Sequence, residues 1–137
     1  MQPAYSQQVT FIYVRDLAEG SRFLEHVLGL PFVLEQGGGC RIHQVNPGAY
    51  LGVCTNRPPP DDKGVTYSLV VPDVAAAYQT LKERGAEFEA PPKFSERFQV
   101  TSAFVKGPEG YRFEIQSFAD SAWPAPVEFG SPSSGDD

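Results

Sequence analysis

The chain repeats itself once, with a period of about 57 residues. Residues 12–18, IYVRDLA, align with residues 69–75, LVVPDVA. Each copy is an apolar run that ends in Val-x-Asp, and it is followed by a helix-like stretch, a glycine and then a phenylalanine. A solenoid needs three or more copies, so one duplication predicts two supersecondary units that share the same internal order.

In each copy the residue types predict a strand followed by a helix. Residues 9–14 are β-branched and aromatic, which favours a strand. Asp16 and Asp73 lie where a helix N-cap belongs, because an aspartate side chain accepts the first free backbone N–H groups. Gly29 and Gly85 lie where a left-handed residue ends a helix.

Three further strand-like runs follow each helix, separated by turn-forming residues. They cover residues 31–36, 41–45 and 49–54 in the first copy, and residues 87–90, 100–105 and 111–118 in the second. The predicted fold class is α+β, with two βαβββ modules (8–57 and 64–118) whose sheets curl around a central cleft. We expect residues 1–129 to form one domain, with Trp123 folding back onto it, and residues 130–137 to be disordered.

Charge and composition argue against several function classes. The 137 residues carry a formal net charge of −6, whereas a nucleic-acid partner calls for a basic face. The apolar runs are far shorter than the roughly 20 residues needed to cross a bilayer, and the first residues lack a secretory pattern. We therefore expect a cytoplasmic protein without nucleic-acid or membrane partners. Its two cysteines, Cys40 and Cys54, are too few for a disulfide framework and are expected to be thiols.

Three stretches of the chain carry a family resemblance. They are residues 9–17, VTFIYVRDL, residues 23–30, FLEHVLGL, and residues 107–114, GPEGYRFE. Together they resemble the vicinal oxygen chelate superfamily, which includes glyoxalase I, bleomycin-resistance and fosfomycin-resistance proteins and extradiol dioxygenases. The third stretch is similar to the family's D-P-D-G-x-x-x-E hairpin, with Gly107 and Glu109 in place of its two aspartates. The resemblance covers residues 8–118 and implies the fold, but the same fold hosts both catalysts and binders.

The resemblance also implies where a divalent metal would bind. Enzymes of the superfamily hold the ion with His, Gln or Glu side chains from the first, fourth, fifth and eighth strands. Carried over onto this sequence, those positions fall at or near Val9, Gly52, Thr66 and Glu114. A metal needs several nitrogen or oxygen donors, and only Glu114 is a usual ligand. We therefore expect no cofactor, and a divalent metal is disfavoured.

Strand alternation selects the residues that would line the cleft, since side chains two apart along a strand share a face. The candidate binding residues are aromatic or small and polar, with one pair of opposite charges: Phe11, Tyr13, Tyr50, Ser68, Ser102, Phe104, Arg112 and Glu114. Such a set suits a flat, partly apolar ligand, because rings stack on it and hydroxyls fix its orientation. Of the two histidines, His26 is expected to be exposed on the helix, and His43 to lie on the cleft wall or the surface.

The residues and the resemblance together favour a metal-independent binding protein similar to the bleomycin-resistance branch. It would sequester an aromatic or cationic compound, with antibiotic resistance as one role, and the resemblance implies a homodimer. The alternative is a lyase, isomerase or dioxygenase that uses Glu114 as general base or metal ligand; Glu114 is the one candidate catalytic residue. A third interpretation is a regulatory module with a closed cleft and a protein partner.

Overall fold

The computed structural model describes residues 3–126, which form two four-stranded sheets, each with one helix against it. The elements in chain order are β1 (Gln8–Tyr13), α1 (Leu17–Arg22), β2 (Phe32–Gln36), β3 (Cys40–Asn46), β4 (Ala49–Cys54), β5 (Thr66–Val70), α2 (Val74–Glu83), β6 (Lys93–Ser95), β7 (Val100–Lys106) and β8 (Arg112–Phe118). The strand orders are β1-β4-β3-β2 and β5-β8-β7-β6. The predicted α+β class and the repeated βαβββ order are therefore confirmed.

Both helices begin at the predicted aspartate caps, and a predicted glycine follows the end of α2 and the end of the π-helical turn that continues α1. The carboxylates of Asp16 and Asp73 accept the backbone N–H three residues further on, at 3.0 and 3.1 Å. Gly29 and Gly85 both have a positive φ, at +78° and +96°. The first helix is less regular than expected, because a π-helical turn, Phe23–Val27, continues α1.

The core lies between the helix-facing sides of the two sheets. Ile12 and Val53 of the first sheet and Val105 and Phe113 of the second are fully buried. They form one cluster with Leu24, which follows α1. The core is therefore shared by both modules.

Gly20 allows α1 to pack closely on the first sheet. A Cβ at this buried position would lie 2.7 Å from Cγ2 of Val53 and 3.1 Å from Cγ2 of Val14. Glycine inside a helix costs up to ~1 kcal/mol relative to alanine. The close approach to these two valines explains why glycine is present here.

The sixth strand differs from its predicted position. Residues 87–90 form only an isolated bridge, from Phe88 to Val105, and the strand proper is Lys93–Ser95. Two prolines, Pro91 and Pro92, stand between these segments. Proline has no backbone N–H to donate, so it confines the regular pairing to the residues after it.

The turn before β8 ties the two modules together. The backbone N–H of Tyr13 donates to the hydroxyl of Tyr111 at 3.0 Å. The carboxylate of Glu109 accepts from the backbone N–H of Arg15 at 2.8 Å and from its guanidinium at 2.6 Å. Glu109, at φ 58°, thus joins the turn of the second module to the end of β1 in the first.

Cys40 and Cys54 form a disulfide bond, so the prediction of two free thiols is wrong. The residues pair directly across the antiparallel strands β3 and β4. The cysteine count could not reveal this contact, because it depends on which strands become neighbours.

The chain folds back after β8, as predicted for Trp123. Its ring stacks on that of Phe118, with centroids 3.8 Å apart and planes 13° apart. The predicted disordered segment, residues 130–137, lies outside the described residues. Among residues 3–126, no helix has the length and apolarity to cross a membrane.

Candidate functional site

Each sheet has one side that packs on its helix and a second side, here called its open face. Directly paired residues point to the same side of a sheet, so the strand register assigns residues to faces. In the first sheet Phe11 pairs with Gly52, and Gly52 also pairs with Ile42. The neighbouring open-face pairs of β1 and β4 are Val9 with Tyr50 and Tyr13 with Cys54.

The second sheet has the corresponding arrangement on β5 and β8. The open-face pairs are Thr66 with Arg112, Ser68 with Glu114 and Val70 with Gln116. From β7, Ser102 pairs with Gln116 and Phe104 with Glu114. The register therefore places all eight candidate binding residues on the two open faces, while their binding role stays a prediction.

The open face of the first sheet is largely apolar and accessible. Val9 is 45% exposed and Phe11 is 41% exposed. The guanidinium carbon of Arg57 lies 5.0 Å from the centroid of the Tyr13 ring, so a cation from the following loop covers that ring. This face offers stacking area with a positive charge at one end.

The ring of Phe11 covers the backbone of Gly52. A Cβ at Gly52 would lie 2.6 Å from Cδ1 and 2.8 Å from Cε1 of Phe11, and 3.0 Å from Cδ1 of Ile42. Any side chain at position 52 would have to displace that ring. The space above this position therefore belongs to an aromatic ring rather than to a polar side chain.

Arg112 does not pair with Glu114, its expected partner of opposite charge. Its guanidinium donates from Nε and Nη2 to the two carboxylate oxygens of Glu89, both at 2.8 Å. The same group lies 3.7 Å from the centroid of the Phe104 ring. The hydrogen bond from Arg112 holds the pKa of Glu89 below its usual value, so Glu89 is ionised at neutral pH.

Glu89 is a residue of this face that sequence reasoning missed. It follows the isolated bridge of Phe88, in a segment whose irregular pairing hides the face that each residue takes. Its contact with Arg112 spans 23 residues of chain. No local pattern predicts such a contact.

Glu114 belongs to a small hydrogen-bonded group. The side-chain amide of Gln116 donates to Oε1 of Glu114 at 3.2 Å and also to the hydroxyl of Ser68. Glu114 is half-buried and pairs with Phe104 across the ladder. A half-buried carboxylate beside a ring can accept hydrogen bonds from a cationic or N–H group of a flat ligand.

His43 is not on a cleft wall or on the surface, and that prediction is wrong. It pairs with Leu51 on the helix-facing side of the first sheet and is fully buried. Its Nδ1–H donates to the carbonyl of Leu30 at 3.1 Å, so Nε2 accepts from the Ser21 hydroxyl at 2.9 Å. Burial lowers the pKa of His43. His26 is exposed, as predicted.

In a single chain several side chains of the open faces are exposed to solvent. Val70 is 51% exposed, similar to Val9 and Phe11 on the other sheet. Two cavities of about 230 and 520 Å³ both border α1, and none of the eight candidate residues lines either of them. The candidate binding surface is therefore open rather than enclosed.

A family model described as the Glyoxalase/Bleomycin resistance protein/Dioxygenase superfamily matches residues 6–115. The chain belongs to this superfamily. No protein with a curated description matches the sequence. The resemblance seen in the three sequence stretches is thus confirmed for most of the chain.

Solved structures of the superfamily share the fold. A glyoxalase/bleomycin resistance protein/dioxygenase from Nocardioides is 19% identical, with a TM-score of 0.72 over 93% of this chain and 92% of that one. A glyoxalase/bleomycin resistance protein from Catenulispora acidiphila is 18% identical, with a TM-score of 0.67 over 81% and 96%. One from Albidiferax ferrireducens is 19% identical, with a TM-score of 0.63 over 80% and 95%. At these identities the likeness shows the fold alone.

The residues present do not fit the metal ion of the superfamily's enzymes. Of the four corresponding positions, Val9 is apolar, the space at Gly52 holds the Phe11 ring, Thr66 offers one neutral hydroxyl, and only Glu114 carries a carboxylate. Among residues 3–126, no three or more His, Cys, Asp or Glu side chains are grouped so as to hold a metal. A shell of converging donors is what such an ion requires.

Proposed function

We propose that this superfamily member binds a flat, partly apolar small molecule with a cationic or N–H group, without a metal. The observations that carry the proposal are the exposed aromatic face around Phe11 on the first sheet and the hydrogen-bonded Ser68–Gln116–Glu114 group on the second. Stacking would hold the apolar part of the ligand, and the carboxylate would accept its donor group. Sequestration of an aromatic or cationic compound, including an antibiotic, is the role that such a site would serve.

The surfaces available suffice for useful affinity. Burying about 300 Å² of apolar surface contributes roughly 7 kcal/mol at 25 cal/mol per Å². Hydrogen bonds to Glu114 add to this figure, while lost translational freedom and side-chain ordering subtract from it. The remainder corresponds to dissociation constants between the micromolar and the millimolar range.

The proposal includes a homodimer. Val9, Phe11 and Val70 are each more than two-fifths exposed in one chain, so a ligand on these faces would stay open to water. A second copy that covers the open faces would bury these side chains and exclude water from the ligand. Sedimentation velocity tests this part, with a stable monomer at micromolar concentration as the contrary result.

A catalytic role for Glu114 is the second candidate function. Its half-buried carboxylate accepts a hydrogen bond from the amide of Gln116, which supports the role, because a metal-free proton transfer needs only a base and a suitable substrate. Turnover of a ligand would distinguish this role from sequestration. In that case Glu114→Gln would abolish turnover while the affinity for the ligand changed much less.

The experiment is a screen of aromatic amines and neutral aromatic compounds by isothermal calorimetry, with and without a metal chelator. Quenching of Trp123, the only tryptophan of the chain, gives an independent readout, since it stacks on Phe118 at the end of β8. We expect chelator-insensitive binding that Glu114→Gln weakens at least tenfold for cationic ligands. Glu83→Gln, at an exposed position at the end of α2, is the matched control. Binding that disappears with the chelator would overturn the proposal.

A further inference from the structure

The Cys40–Cys54 disulfide lies on the open face of the first sheet. The register runs from Tyr13 to Cys54 and on to Cys40, and all three side chains therefore share this face. The bond closes the end of the β3–β4 pair, next to one of the candidate binding rings. A change at this bond is a change in the proposed binding surface.

The strands on either side of the bond are held together without it. The backbone N–H of Thr55 donates to the carbonyl of Gly39 at 2.9 Å, just outside the cysteine pair. Arg41 and Val53 form the next pair of the ladder on the inner side. Because these contacts flank the cysteines, the sheet retains its register when the disulfide is opened.

The two cysteine residues differ in exposure. Cys54 is buried, whereas Cys40 is half-buried and follows a glycine turn, residues 37–39, whose first two residues are exposed. An attacking thiolate therefore reaches the Cys40 sulfur more easily than the Cys54 sulfur.

We propose that Cys40 and Cys54 form a reversible redox site that a dithiol reduces, and that its state sets the affinity of the open face for ligand. One thiolate of the dithiol bonds to the Cys40 sulfur, the disulfide breaks, and Cys54 leaves as a thiolate. The second thiolate of the dithiol then displaces Cys40 as a thiolate, so the dithiol becomes a disulfide. The two cysteine thiolates take up the two protons that the dithiol released, and the protein has gained two electrons as two thiols.

The loop after β4 connects the disulfide to the proposed binding surface. Arg57 stands three residues after Cys54 and covers the ring of Tyr13. The disulfide and the hydrogen bond from Thr55 to Gly39 both fix the start of this loop, so opening the disulfide removes one of its anchors and gives the Arg57 guanidinium more freedom over the ring. This part of the inference rests on the proposed function, whereas the redox site itself does not.

The first experiment measures the redox equilibrium on the full chain. The protein is incubated anaerobically in graded ratios of reduced to oxidised dithiothreitol, thiols are counted by maleimide gel shift, and folding is followed by circular dichroism. We expect a two-electron transition with the spectrum unchanged. The site is refuted if the bond is reduced only after urea unfolds the chain, or if the folded protein holds two thiols that do not oxidise.

The second experiment uses isothermal calorimetry to measure the affinity of the oxidised and the reduced protein for an aromatic amine from the screen described above. We expect reduction to weaken binding at least about fivefold, the lower end of usual coupling between sites. The Cys40→Ser/Cys54→Ser double variant should match the reduced protein and ignore dithiothreitol. Equal affinities in both states overturn the coupling and leave the proposed function intact. Binding in neither state overturns the proposed function and the coupling with it, while the thiol count still decides the redox site.

Discussion

Replacing Gly52 by alanine tests whether the Phe11 ring fills the space above position 52. The added Cβ would stand 2.6 and 2.8 Å from two carbons of the ring and 3.0 Å from Cδ1 of Ile42. Ordinary van der Waals contacts between carbon atoms begin at about 3.5 Å. The ring therefore has to move by several tenths of an ångström or more.

The expected loss in the free energy of unfolding depends on how freely the Phe11 ring can move. Extra methyl groups in packed sites cost about 1–3 kcal/mol. Because Phe11 is 41% exposed, its ring can swing towards solvent, and we expect a loss near 1 kcal/mol in the free energy of unfolding. If the ligand stacks on this ring as proposed, the variant should also bind it more weakly, because the ring is displaced.

The assay is urea unfolding followed by circular dichroism, on a double-mutant cycle of Gly52→Ala and Phe11→Ala. Removing the ring removes the clash, so the double variant should be more stable than the sum of the single effects predicts, by roughly 0.5–1 kcal/mol. Gly48→Ala is the control, since the nearest atom to its Cβ would be Oδ1 of Asn46 at 4.0 Å. A Gly52→Ala protein as stable as the wild type, with an additive cycle, would refute the reasoning.

Three further predictions concern stability, pH and affinity. Burial lowers the pKa of His43, so the folded state binds fewer protons than the unfolded state; stability is full above about pH 6.5 and falls as the pH drops below it. The urea midpoint of the wild type should therefore be lower at pH 5.5 than at pH 7.5, and the difference should be smaller in the His43→Gln variant. An equal difference in the two proteins would contradict this prediction. Gly20→Ala should lower the melting temperature, because crowding of about 1–3 kcal/mol outweighs a helix gain of up to ~1 kcal/mol, and a higher melting temperature would contradict the close packing. Glu89→Gln should leave stability within about 1 kcal/mol, as for exposed ion pairs. It should also weaken calorimetric binding of cationic ligands by removing a carboxylate beside Arg112, and unchanged affinity would count against a ligand near that pair.

The features that the sequence predicts well are those encoded by neighbouring residues. The capping aspartates, the glycines at the helix ends and the order of elements depend on contacts within a few positions. The open-face residues follow from strand alternation once one residue of each strand is assigned, as with Phe11 and Tyr13. The duplication adds a second, independent copy of the same pattern.

The features that the sequence did not predict depend on which strands become neighbours. Alternation places His43 opposite to Ile42, but the strand pattern does not say which of the two faces the helix. The same limit applies to Cys40 and Cys54, whose sulfur atoms meet through the pairing of β3 with β4. Glu89 lies in an irregular segment, where side chains do not alternate regularly between the two faces of a sheet, so the pattern could not assign it to a face.

The two modules keep one fold while their open faces have become different. The shared core is formed by helix-facing residues such as Ile12 and Phe113, so an open-face substitution leaves that core intact. The first face is apolar around Phe11, with a disulfide at its end, and the second is polar around Glu114. This division of polarity is the reason for proposing an amphipathic ligand, whose apolar end would lie on the first sheet and whose donor group would lie on the second.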